Sequence, residues 1–77
     1  MDSAQIQVRV RELMAKYVRR DFSNVDDVFT QGFVNSLEAV ELTLQLEREF
    51  GIKIRDAEVK NLRTVESISR FIEQRQG

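Results

Sequence analysis

The sequence predicts an all-α fold: a small antiparallel four-helix bundle, three longer helices and one short one, with a long ordered loop between the first two. Three observations predict it. The apolar residues recur at three- and four-residue spacing through most of the chain. Seventy-seven residues can enclose only one core, so residues 1–77 read as a single domain. The one alternating stretch, Ile52-Lys53-Ile54-Arg55, is too short and too isolated to make a sheet.

In the first segment Ile6, Val10, Leu13 and Tyr17 recur at helical spacing beside Met14, and Ser3 is available as N-cap. A helix from Ser3 to about Val18 follows. Its other face carries Arg9, Arg11, Glu12 and Lys16. From Arg19 to Gly32 the period is lost among Asp21, Ser23, Asn24, Asp26 and Asp27, residues that favour turns. So long a loop signals function or disorder. Here Phe22, Val25, Val28, Phe29 and Phe33 can pin it to the core, with one helical turn expected near Val25–Phe29.

Asn35-Ser36-Leu37-Glu38 has the layout of a capped helix start, Asn35 as cap and Glu38 closing the box. That helix should run to Phe50 and stop at Gly51. Ala39, Leu42, Leu46 and Phe50 form its core stripe, while Leu37, Val40 and Leu44 form a second, outward one among Glu41, Glu47 and Arg48. Asp56 can cap a brief helix through Ala57, Val59 and Leu62. Thr64 can cap the last helix, where Val65, Ile68 and Ile72 share one side with Phe71 adjacent.

Composition narrows the chemistry. The chain has no Cys and no His, hence no thiolate nucleophile, imidazole base, or His or Cys ligand for zinc, haem or an iron–sulfur cluster. Its own side chains are poorly equipped for catalysis, and no metal site is expected. Lack of disulfides favours a reducing, cytoplasmic setting. The longest apolar run, Leu13-Met14-Ala15, is far too short for a membrane span or signal-peptide core. The net charge of −1 conceals a gradient. Residues 1–20 carry five bases and two acids, residues 21–51 one base and seven acids, and residues 52–77 six bases and four acids. An acidic island between basic flanks, without aromatic interleaving, does not read as a nucleic-acid surface.

Within that island Ser36 is a hydroxyl in the first turn of a helix, reached through Gly32-Phe33-Val34-Asn35. A capping residue is the plain interpretation. Yet the outward stripe begins at the next residue, Gly32 lets the approach turn, and a helix N-terminus favours a phosphate through its free N–H groups and dipole.

The stretch from Asp27-Val28-Phe29-Thr30-Gln31-Gly32 through Asn35-Ser36-Leu37-Glu38-Ala39-Val40-Glu41-Leu42, then Glu49-Phe50-Gly51-Ile52, resembles the acyl carrier protein family. Leu62-Arg63-Thr64-Val65-Glu66-Ser67-Ile68 resembles the start of that family's last helix, so the likeness covers nearly the whole chain. The resemblance implies that Ser36 carries 4′-phosphopantetheine, installed from coenzyme A by a magnesium-dependent transferase. Acyl units would ride on the imported thiol as thioesters, with no residue here acting as a catalyst. It further implies that Leu37, Val40, Glu41, Leu44 and Glu47, with Asn35 and Arg48 at the margin, face partner enzymes that load and process the acyl group. Basic partner patches would complement the acidic island. The protein is expected to act as a monomer, away from membranes.

Two departures are informative. Asn35 stands where most members carry Asp, and Arg48 interrupts an acidic helix. Both point away from primary fatty-acid synthesis. The string Gly32-Phe33-Val34-Asn35-Ser36-Leu37 most resembles the freestanding carriers of polyketide or hybrid peptide–polyketide pathways, including those holding methoxymalonyl or hydroxymalonyl extender units. The D-alanyl carrier proteins of cell-wall assembly, which share the Phe-x-Gln-Gly approach, are the nearest rival. An interaction adaptor with the same bundle but no cofactor is the other.

Overall fold

A computed structural model describes residues 2–29 and 32–76; Thr30 and Gln31 of the motif lie outside the described residues. Four helices run in order, α1 Ser3–Ala15, α2 Ser36–Phe50, α3 Asp56–Val59 and α4 Val65–Gln76, and no strand occurs among the described residues.

Helix α1 is capped one residue before the expected position. Asp2 accepts from the Gln5 N–H at 2.9 Å, and the Gln5 side chain accepts in return from the Asp2 N–H at 3.0 Å. The box fixes Asp2 as N-cap, so Ser3 is the first helical residue. The helix also ends earlier than expected, at Ala15 rather than near Val18. The Tyr17 and Val18 N–H groups both bond the Met14 carbonyl, at 3.0 and 2.9 Å, which tightens the chain into a turn. Val18 still reaches the core, but from that turn.

The loop to α2 buries Phe22, Val28 and Val34 and rests Phe29 and Phe33 against the core. Val25 does not pin it, being 68% exposed. No helical turn forms over the described residues near Val25–Phe29. There the Asp26 and Asp27 carboxylates accept from the Ser23 and Phe29 N–H groups at 2.7 and 3.1 Å, and such local bonds compete with helix. What orders the loop is its seam to the connection before α4. Val28 N–H donates to the Arg63 carbonyl at 3.2 Å and Glu66 N–H to the Asn24 carbonyl at 3.0 Å. The Arg63 guanidinium meets Asp27 at 2.9 Å. From the α1 side, Arg11 lies over the Phe22 ring and donates to Asn24 at 2.8 Å.

After α2, Gly51 takes the left-handed conformation at φ 64°, where a side chain would be strained. The Glu47 carboxylate then accepts from the Ile54 N–H at 2.8 Å and folds the connector back onto α2. Arg55, not Asp56, occupies the N-cap of α3; its N–H is satisfied by Glu58 at 3.0 Å, and the helix ends at Val59, short of the buried Leu62. At α4 the Thr64 hydroxyl caps the Ser67 N–H at 2.9 Å as expected. Ile6, Val10, Leu13 and Met14 of α1 meet Val65, Ile68 and Ile72 of α4, and Leu42, Leu46 and Phe50 of α2 close the core.

Two surface carboxylates tie elements together. Glu49 of α2 receives the Arg9 guanidinium of α1 at 2.9 Å, and that hydrogen bond lowers its pKa from the ordinary 4.5. Glu58 is lowered first by the Arg55 N–H and then by Arg75. A lowered folded-state pKa stabilises above the unfolded value, and the gain disappears as pH falls through the lowered one. Thermal melts should therefore hold steady above pH 4.5 and decline below it, and Glu49→Gln should flatten part of the decline.

Candidate functional site

Ser36 is positioned by the residues on both sides of it. The chain turns at Gly32, φ 75°, whose N–H donates to the Phe29 carbonyl at 3.3 Å, and the Phe33 N–H donates to the Val28 carbonyl at 3.0 Å. Buried Val34 anchors the approach, and Asn35 leaves it extended at φ −89°, ψ 176°. The expected capping box is present. The Asn35 side chain accepts from the Glu38 N–H at 2.8 Å, and Glu38 accepts from the Asn35 N–H at 3.0 Å. This places Ser36 as the first residue of α2, exposed to solvent.

Among the described residues nothing hydrogen-bonds the Ser36 hydroxyl, and the Ser36 and Leu37 N–H groups find no acceptor. An accessible hydroxyl thus stands beside free donors at the positive end of a helix dipole, an environment suited to a phosphate ester. Two cations that sequence reasoning passed over sit alongside. Arg20 lies over the Phe33 ring at 4.4 Å, and an Arg19 guanidinium nitrogen is 3.9 Å from the Glu38 carboxylate. They open the loop after α1, and only the fold brings them to the residues around the start of α2.

The outward stripe is present: Leu37, Val40 and Leu44 are 67%, 56% and 48% exposed. Glu41 and Arg48 beside it are exposed as well. Glu47 differs from the expectation of a free outward carboxylate, since it is half-buried and engaged by the Ile54 N–H. Val40 and Leu44 also face α3. With Thr43, Ile54 and Val59 they wall an apolar cavity of about 380 Å³ between α2 and that short helix.

Residues 8–72 match the family profile described as a phosphopantetheine attachment site. The chain is 33% identical over 76 residues to an acyl carrier protein of Rickettsia massiliae, covering 95% of this chain and 88% of that one. It is equally similar to the acyl carrier protein of Rickettsia canadensis and 32% identical to that of Rickettsia typhi, with the same coverage. The chain belongs to the acyl carrier protein family.

The carrier's covalent group is 4′-phosphopantetheine. The groups at the start of α2 would suit its phosphodiester: an unpartnered hydroxyl able to form the ester, two free backbone N–H groups, and guanidinium groups against Glu38 and Phe33 on either side. Family membership also gives the carrier a phosphopantetheinyl transferase and the enzymes of its pathway as partners. No helix among its described residues is long and apolar enough to cross a membrane.

Proposed function

We propose that Ser36 bears the phosphopantetheine and that this chain presents a thioester-bound acyl unit to biosynthetic enzymes without catalysing a step itself. The observation that carries this reading is the exposed, unpartnered Ser36 hydroxyl on the first residue of α2, inside the matched region. When attached, the group supplies the thiol that the chain, with no Cys, lacks.

The chain's own residues do three things in this scheme. Asn35 and Glu38 hold the first turn of α2 so that the ester oxygen projects outward. Leu37, Val40 and Leu44, with Glu41 and Arg48, make the face that loading and processing enzymes read. The cavity between α2 and α3 gives an apolar cargo somewhere to lie while in transit. The string Gly32-Phe33-Val34-Asn35-Ser36-Leu37 supports a place in polyketide or related secondary metabolism, an unusual malonyl-type extender unit included, and Asn35 and Arg48 weigh against primary fatty-acid synthesis.

Incubation with coenzyme A, magnesium and a broad-specificity transferase should raise the intact mass by one phosphopantetheinyl group. A protein that gains no mass with several transferases sinks the reading and leaves an adaptor that uses only the bundle surface.

A further inference from the structure

We infer that Arg19 and Arg20 hold the phosphodiester of the prosthetic arm against the start of α2, as positioning residues for the loaded carrier. This rests on the assignment of the arm to Ser36. Their contacts bracket that residue. Arg20 stacks on Phe33, three residues before it, and Arg19 approaches Glu38, two residues after it. Two consecutive cations from the chain just after α1 are thereby brought to the two ends of the six-residue stretch that presents the ester oxygen.

Neither guanidinium is committed to an oxygen. The Arg19 side chain is 88% exposed, and 3.9 Å to Glu38 is too long for a hydrogen bond. Glu38 itself is already held by the Asn35 N–H at 3.0 Å. Arg20 faces an aromatic ring, which accepts its charge but leaves its N–H fork without an oxygen acceptor among the described residues. A guanidinium fork matches two phosphate oxygens at once, and such charge-assisted pairs are stronger than neutral hydrogen bonds.

The charge pattern gives the pair a purpose. Residues 21–51 hold seven acids and one base, so attaching a further anion at Ser36 adds to an acidic surface. Asn35 is neutral and relieves one repulsion; Arg19 and Arg20 supply compensating charge from outside the acidic segment. Before loading they lie exposed or stacked, and after loading the phosphodiester gives both an acceptor.

The test compares apo and fully loaded protein, loading verified by intact mass, for wild type, Arg19→Gln/Arg20→Gln and the exposed control Lys53→Gln. Taking the loaded-minus-apo difference within each protein cancels any effect of the substitution on folding. At low salt, loading should raise the wild-type Tm by about 3 °C more than that of the double variant. Lys53→Gln should match wild type, and the difference should fade in about 1 M salt. The 31P resonance of the phosphodiester should move in the double variant and stay in place in the control. Equal thermal shifts and an unmoved resonance in the double variant overturn the proposal. So does a variant that loads slowly while its loaded fraction keeps the wild-type shift and resonance, because the arginines then serve the donor's phosphates during transfer. Wild type that never loads refutes the Ser36 assignment first, and the inference with it.

Discussion

Ser36→Ala should remain folded and take up no phosphopantetheine, whereas Ser3→Ala should load like wild type. The comparison is stringent because the two serines are local twins. Each is the first residue of a helix, behind an Asp or Asn cap with a closed box: Asp2 with Gln5 at 2.9 and 3.0 Å, Asn35 with Glu38 at 2.8 and 3.0 Å. If helix-terminal geometry were sufficient, both hydroxyls would be substrates. What separates them lies around the turn. Ser36 follows the bend at Gly32 and the anchored Val34, precedes an outward apolar stripe, and falls within the matched residues 8–72, whereas Ser3 lies outside them. The other serines are poorly placed. Ser69 is buried and donates to the Val65 carbonyl at 2.7 Å, Ser67 is bound up with Thr64, and the Ser23 hydroxyl sits in the loop accepting from Val25. Because no described residue bonds the Ser36 hydroxyl, its removal should change stability by no more than about 0.5 kcal/mol. Intact mass and a thermal melt read both halves. Loading of Ser36→Ala, or loss of loading in Ser3→Ala, would move the attachment point elsewhere.

Local physics explains which features could be read from sequence. The α2 box, the Gly51 terminus and the Thr64 cap each depend on residues within four positions of one another, and all three are present. Where two residues compete for one local role, the pattern does not choose between them. Asp2 took the cap from Ser3 because Gln5 could answer it, and Arg55 stands at the α3 cap because Glu58 satisfies its N–H. Val25 and Val28 look alike in sequence. The seam from Val28 N–H to the Arg63 carbonyl buries one, and the Asp26 turn leaves the other in solvent. Glu47 was unreadable for a similar reason, since its partner is a backbone N–H seven residues on, across a helix terminus. The Arg19 and Arg20 contacts, with Glu38 and Phe33, are non-local, and sequence showed only a basic end and an acidic middle.

Leu42→Ala and Leu37→Ala, five residues apart on α2, should fail in opposite ways. Leu42 is 1% exposed in the core, and deleting a buried leucine costs about 2–5 kcal/mol in lost transfer energy and residual cavity. A domain of this size has roughly 4–12 kcal/mol in total, so the Tm should fall by about 10–25 °C. Loading of the fraction that stays folded should be normal, because Leu42 does not reach the surface that carries Ser36. Leu37 is 67% exposed, and its truncation should shift stability by about 0.5 kcal/mol or less. If it is an apolar anchor for partner enzymes, the same change should reduce transferase kcat/KM by about 5- to 30-fold, the range for a residue worth roughly 1–2 kcal/mol at an interface. Leu37 is a cleaner probe than Val40 or Leu44, which also wall the cavity and would mix partner docking with cargo binding. An undiminished transferase rate for Leu37→Ala would show that the partner reads α2 further along, and that exposure alone does not mark the docking face.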